Sequence, residues 1–290
     1  MGPSKYDKYF VSGHKQNETK WSYRQEFDSA VAKIDADVIP GAFHFYAHWI
    51  KPQHGFHFVH NAHTHPYTEV LGCIGTNPDD PMDFGNQFEI HFGHGFERHV
   101  NDKPGLVYIP AGFVHGPILW RIKKPMLGLG CLFGPLDVCE DDDGLIDFSE
   151  VFETNKYGKY IISTPKTEET QKRFKNVVAY LDDDVLRGSS VFLITFVNSK
   201  SELESLISVP HSSPYDQVLL FVGINPEDKD NLEAEIQLGM GEEYETYTVN
   251  KSMAVFIPKG VVYGLIDCKI NKSFIFVLAA KNAPKLIQNT

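Results

Sequence analysis

Cysteine is scarce in this chain and never paired. Cys73, Cys131, Cys139 and Cys268 are scattered through 290 residues with no Cys-x-x-Cys spacing, so a disulfide framework is excluded and a reduced, cytoplasmic protein is expected. On that expectation the Asn-x-Ser/Thr triplets at Asn17, Asn250 and Asn271 are chance matches, since they carry meaning only in secretion. Positive charge is also short. With 27 basic against 38 acidic residues the formal net charge is −11, which argues against a nucleic-acid or anionic-membrane partner. No stretch approaches the length of an apolar membrane span, and the start, "MGPSKYDKYF", has neither a signal-peptide core nor the Ser or Thr of a myristoylation signal. Helical periodicity is sparse too. The best segments are "YRQEFDSAVAKI" from Tyr23 and "TEETQKRFKNVVAYL" from Thr167, each expected to form a short helix ahead of a set of strands.

What the chain has in abundance is itself. "PYTEVLGCIGTNPDD" from Pro66 returns as "PYDQVLLFVGINPED" from Pro214, and "FEIHFGHG" from Phe88 as "AEIQLGMG" from Ala234. "GLVYIPAGFVHGPI" from Gly105 matches "SMAVFIPKGVVYGLI" from Ser252, and the leader "KYFVSG" from Lys8 matches "KYIIST" from Lys159. Two copies of one unit follow. The acidic stretch "CEDDDGLIDFSE" separates them, giving units 1–140 and 141–290. Hydrophobic content of 42% and a length of 290 residues are enough for two buried cores.

Each unit reads as β. "AFHFYAHWI", "EVLGCIG", "FEIHFG", "LVYIP" and "MLGLGCLF" are short, rich in β-branched and aromatic residues, and separated by clusters such as "GTNPDDP" and "NDKPG". Many short strands with Gly/Pro turns predict a sandwich or barrel.

Histidines concentrate in the first copy. In an extended strand, residues of equal parity share a face, so His63 and His65 point the same way, joined by His57 if no bulge intervenes. A turn at "PYT" brings in Glu69, and His115 follows downstream in "YIPAGFVHG". Three imidazoles and a carboxylate suit a borderline divalent metal and leave coordination positions open. The competing reading, a hydrogen-bonded histidine strand, is weakened by the second copy. There His211 stands for His63, Ser213 for His65, Gln217 for Glu69 and Tyr263 for His115, while the Pro and Gly scaffold persists. The fold does not need the histidines, and one metal per chain is expected. Other candidates are His57, His48, His91 and Tyr108 as catalytic residues, with His44 and Glu89 beside them. His60, His94 and His99 read as loop or outer-face residues.

"GFHFVHNAHTHPYTEVLGCIG" and "GLVYIPAGFVH" resemble the two cupin motifs. Gly55 sits two positions further from the first His than usual, one spacer residue is missing before Pro110, and Leu119 replaces the terminal Asn. The resemblance covers both halves as a bicupin. It implies a double-stranded β-helix jelly roll in each half and an all-β fold with a few short helices. It assigns the metal ligands to His63, His65, Glu69 and His115. The ion it implies is iron foremost, with manganese, zinc, nickel or cobalt as alternatives.

A divalent ion in this set keeps a net positive charge and attracts a small, anionic, bidentate substrate. The resemblance implies metal-dependent enzyme chemistry of the dioxygenase type, because this ligand set is the one cupin dioxygenases use. The alternatives are a Lewis-acid decarboxylase, lyase or isomerase, or a small-molecule or sugar binder without turnover. A homodimer is a further expectation, because jelly-roll edges pair readily.

Overall fold

A computed structural model describes residues 4–13, 30–52, 57–135, 140–141, 155–163, 176–207 and 210–286. Four antiparallel sheets account for nearly all regular structure, two in each half. Among the described residues the one α-helix is Lys200–Ile207, and no helix is long and apolar enough to cross a membrane.

In the first half the larger sheet runs, in spatial order, through Ile161–Ile162, Gly105–Ile109, Glu69–Ile74, Met126–Leu132, His44–Ile50 and Ala30–Ile34. The facing sheet contains Glu140–Asp141, His63–Thr64, His115–Arg121, Gln87–Phe92 and Glu97–Asn101, with His57–His60 also paired to His115–Arg121. The second half repeats the plan, with Gln217–Gly223, Phe274–Ala280 and Val191–Val197 where the first has Glu69–Ile74, Met126–Leu132 and His44–Ile50.

The two segments expected to be helical end as strands instead. "AVAKI" becomes Ala30–Ile34, laid against His44–Ile50, and "VVAYL" becomes Val177–Leu181, laid against Val191–Val197. Edge pairing and burial on both faces override a modest helical pattern. The starts of both segments, 23–29 and 167–175, lie outside the described residues. Of the acidic stretch between the copies, only Glu140–Asp141 is described. Its backbone pairs with His63–Thr64.

Three cores hold the molecule. One fills the first barrel, around Leu71, Phe88, Ile90, Phe92 and Val107. Another fills the second, around Leu219, Phe221, Phe274 and Phe276. The third lies between the halves, where Phe45, Trp49, Val70 and Leu129 meet Phe192, Ile194, Val218 and Val277. The larger sheet of each half is thus buried on both faces. That is why the strand reads as a continuous run rather than an alternation.

The leaders cross over. Phe10–Val11 pairs with Met253–Ile257 of the second half, and Ile161–Ile162 pairs with Gly105–Ile109 of the first. Each barrel therefore receives its edge strand from the leader that precedes the other.

Candidate metal centre

His63 and His115 stand opposite each other on paired strands. Gly116, at φ +95°, allows this approach, since a Cβ there would run into the backbone of Asn61. The Pro110–Gly112 turn is tied to the same place by Gly112 N–H donating to the His65 carbonyl at 2.6 Å. Glu69 opens the neighbouring strand of the larger sheet and reaches across the barrel mouth. One ligand atom from each of His63, His65, Glu69 and His115 lies within 4.8 Å of all the others. The three imidazoles are almost fully buried, and Glu69 is nearly so.

The tautomers are set by the backbone. His63 Nδ1–H donates to the Asn61 carbonyl at 2.8 Å and His115 Nδ1–H to the Phe113 carbonyl at 3.0 Å. A neutral ring that donates from Nδ1 presents a lone pair at Nε2. His115 Nε2 then lies 3.1 Å from Glu69 Oε2, and neither atom has a hydrogen-bond partner. Two buried acceptors at that distance are satisfied either by a second proton on His115 or by a cation between them, and the convergence of His63 and His65 on the same point favours the cation. His65 Nε2 is 3.5 Å from the same oxygen. Burial alone would push the Glu69 carboxyl up, but a hydrogen bond from His115 and the positive charge of His115, His65 and His63 when protonated outweigh it and hold it at about 2, a role a divalent ion takes over when the rings are neutral. The residues fit a divalent ion: three neutral nitrogens and one ionised carboxylate, already oriented.

Aromatic packing braces this arrangement. Phe113, whose carbonyl orients His115, packs on Phe92 (ring centroids 5.8 Å apart) and on Tyr157 (4.9 Å). Tyr157 belongs to the second copy's leader, and its backbone N–H donates to buried Glu97 at 2.9 Å. Nothing in the repeat comparison points to this crossing.

The other candidates are dispersed. His44, Tyr46 and His48 face the first barrel's interior with Ile50, while Phe45, Ala47 and Trp49 face the core between the halves. His91 and Glu89 face outward, opposite in parity to Phe88, Ile90 and Phe92. There His91 Nε2 meets Glu89 at 3.0 Å and Arg98 donates to Glu89 at 2.7 Å. Tyr108 points into the core between the halves and is hydrogen-bonded with Thr68. The sequence placed His91 and Tyr108 at the site because both faces of their strands are buried, so hydrophobicity cannot say which face is inside. The backbone of His57 lies opposite Trp120, five positions along the strand from His115, and its side chain is outside the described residues. His99, expected on the outer face, is buried beside Phe92 and bonded to Glu97 at 2.7 Å. His94 is exposed in a turn, as expected.

In the second half His211 again faces Tyr263 in register, with ring centroids 4.4 Å apart. The Gln217 side chain hydrogen-bonds the Tyr263 hydroxyl. A hydroxyl and an amide thus stand where the first half has His115 and Glu69. Among the described residues, the first half holds the one four-ligand cluster.

No known protein-family profile matches the chain, and no curated protein matches it. Solved structures do. A deletion mutant of Bacillus subtilis oxalate decarboxylase matches with a TM-score of 0.53 at 11% identity, over 90% of this chain and 75% of that one. The formate complex of Lactobacillus farciminis oxalate decarboxylase matches with a TM-score of 0.53 at 13% identity, over 90% and 84%. At such identities the likeness speaks for the fold. With two tandem jelly-roll barrels and a three-histidine, one-glutamate cluster in the first, the chain has the bicupin fold.

Proposed function

We propose that the chain is a metal-dependent oxidoreductase of the dioxygenase type, acting on a small, anionic, bidentate substrate at an iron ion held by His63, His65, Glu69 and His115. The observation that carries the metal reading is the pair of buried acceptors, His115 Nε2 and Glu69 Oε2, facing each other at 3.1 Å. A divalent iron ion there supplies Lewis acidity to a chelating substrate and a site for dioxygen.

The chain's own residues hold the site ready for that chemistry. The Asn61 and Phe113 carbonyls keep His63 and His115 as Nδ1–H tautomers. Glu69 stays ionised across the working pH range and leaves the site one positive charge with a divalent ion. The rest of the barrel wall combines apolar residues such as Leu71, Ile90 and Val107 with His44, Tyr46 and His48. The oxidative reading rests on the ligand set, three histidines and one glutamate, which is the set cupin dioxygenases use, and His48 in the same barrel is buried. Burial pushes its pKa down to about 3, making it a weak base at neutral pH.

Elemental analysis of protein purified anaerobically is the test, followed by oxygen uptake with chelating oxo acids and catechols. About one iron per chain and oxygen consumed with substrate are expected. His63→Ala or His115→Ala should remove both. Turnover without oxygen, with manganese or zinc serving equally, would overturn the oxidative assignment. Stoichiometric metal in both variants would overturn the site.

A further inference from the structure

The two leaders are built alike. "SKYDKYFVS" from Ser4 and "NKYGKYIIS" from Asn155 each make one turn of 3-10 helix, Asp7–Tyr9 and Gly158–Tyr160, and then a short edge strand. Strand pairing shows which parts of the two barrels they meet. His115 and Glu97 both stand opposite Phe92, as Tyr263 and Glu245 both stand opposite Met240. Each leader is tied to the glutamate of its set. Glu97 accepts the backbone N–H of Tyr157 at 2.9 Å, and Glu245 accepts the Ser4 hydroxyl at 2.9 Å. Each also lays a tyrosine against the left-handed glycine that follows Phe92 or Met240. A Cβ on Gly93 would come within 3.1 Å of the Tyr157 ring, and one on Gly241 within 2.6 Å of the Tyr6 ring. Docking of a leader is thus common to both halves, whether or not the barrel holds a ligand set.

What the tyrosine meets next differs. In the first half Tyr157 lies edge-on to Phe113, with ring centroids 4.9 Å apart at 67°, and Tyr160 packs on the same ring at 5.6 Å. Phe92 closes the group, 5.8 Å from Phe113. In the second half the positions of Phe92 and Phe113 hold Met240 and Val261, and Tyr6 packs on Tyr247 at 6.3 Å. The rings gather where the loop leads to a histidine ligand and are replaced where it leads to Tyr263. The loop backbone is the same in both halves. Gly93 N–H donates to the Val114 carbonyl and Gly241 N–H to the Val262 carbonyl, each at 2.8 Å. Phe113 N–H donates to the Pro110 carbonyl and Val261 N–H to the Pro258 carbonyl, each at 3.1 Å. The loop therefore forms without the rings. What the first half alone asks of it is that the Phe113 carbonyl stay aimed at His115 Nδ1, 3.0 Å away.

From this we infer that Tyr157 and Tyr160 are positioning residues for the metal centre, and that the second half, which has no such ligand set among its described residues, serves the first by supplying them. The inference rests on the metal-centre reading. Phe113 is the link. Its ring is half-buried and covered by the leader, and its carbonyl sets the His115 tautomer. A ring left uncovered lets that carbonyl swing, and the imidazole is then free to turn its lone pair away from Glu69. The leader is anchored in its turn, because Ile162 is fully buried in the core between the halves and Ile161–Ile162 pairs with Gly105–Ile109. The shared core fixes the leader, the leader fixes Phe113, and Phe113 fixes His115. Partners that orient a ligating histidine govern metal affinity by about 10–100-fold.

The test begins with the zinc affinity of the full chain, measured by competition with a chelating dye. Tyr157→Leu should weaken zinc binding about tenfold, and Phe113→Val, which installs the second half's residue, should do the same. Tyr157→Phe should keep the native affinity, because the ring does the holding. Tyr6→Leu makes the same change in the other leader. It should lower the melting temperature of the metal-free chain as much as Tyr157→Leu does, yet change zinc affinity less than about twofold, its site being remote from the cluster. Tyr157→Leu combined with Phe113→Val should lose no more than the worse of the two alone, since both act through one ring. The second reading is nitrogen NMR of the metal-free chain. Native His115 should show the Nδ1–H tautomer alone, and Tyr157→Leu a mixture of both. Unchanged zinc affinity in Tyr157→Leu, an equal loss in Tyr6→Leu, or an unmixed tautomer would overturn the positioning role. Should Tyr157→Leu fail to fold, Phe113→Val carries the same expectations with a milder change. If the native chain takes up no zinc, the metal reading fails, and the His115 tautomer still decides whether the leader positions that ring.

Discussion

Tyr263 and His115 occupy one position of the repeat and solve one problem in two ways. Each places a polar group at the barrel mouth opposite the first residue of a neighbouring strand. With Glu69 the pair is placed to hold a cation; with Gln217 it is closed by a hydrogen bond. Tyr263→Phe should cost about 1 kcal/mol in urea unfolding, the worth of one buried hydrogen bond, and leave turnover unchanged. His48 gives a second residue-scale prediction. The unfolded chain protonates this histidine near 6.5, whereas the folded chain does so only near 3, because the ring is buried. Between those values the unfolded state holds more protons. His48 therefore costs no stability above about pH 6.5 and drains it progressively as pH falls toward 3, at up to about 1.4 kcal/mol per unit. His48→Gln should flatten part of that slope in unfolding titrations between pH 7 and 4. At this scale the sequence was most legible where the two copies could be compared. The ligand set stood out because its counterparts had changed while Pro214, Pro258 and Gly260 had not. The packing of Tyr46 over Gly130 was not legible, because the two are distant in sequence and meet only through the register of two strands.

Among the elements, strands with turn punctuation at both ends were legible and edge strands were not. Glu69–Ile74 and Met126–Leu132 fall where their apolar runs and flanking turns put them. Ala30–Ile34 and Val177–Leu181 begin inside patterns that also suit a helix, and only pairing with a neighbour decides their state. Parity along the larger sheet was uninformative for a related reason. With a barrel on one side and the partner half on the other, both faces are buried, so Tyr108 looked as inward as Ile109. The crossed leaders yield a prediction here. Phe10 stacks on Tyr247 with ring centroids 4.8 Å apart, in the second half. Phe10→Ala should cost about 1–3 kcal/mol and speed amide exchange along Met253–Ile257, leaving Gly105–Ile109 protected.

Over the whole molecule the halves are joined by more than a linker. Ile162 and Phe45 of the first barrel's sheet share a buried core with Ile194 and Val277 of the second. The two edge strands are exchanged as well. The units 1–140 and 141–290, produced separately, should each expose that apolar face and aggregate. Produced together, they should recover a soluble complex, read by gel filtration. The overall plan of two β units was legible because the sequence repeats. The exchange was not, because a leader preceding its own unit looks the same whichever barrel it joins.

The crossed leaders also impose an order of events during synthesis. The first barrel's edge position stays open until the ribosome has made Ile161–Ile162, well past its last core strand at Leu132. Phe10–Val11 precedes the strands of both barrels and meets its partner strand only once Met253–Ile257 has emerged. Between those points the nascent chain carries an edge strand still waiting for its partner. Anything that binds such a segment while it waits, a chaperone or a second nascent copy, acts on this protein before its metal centre is complete.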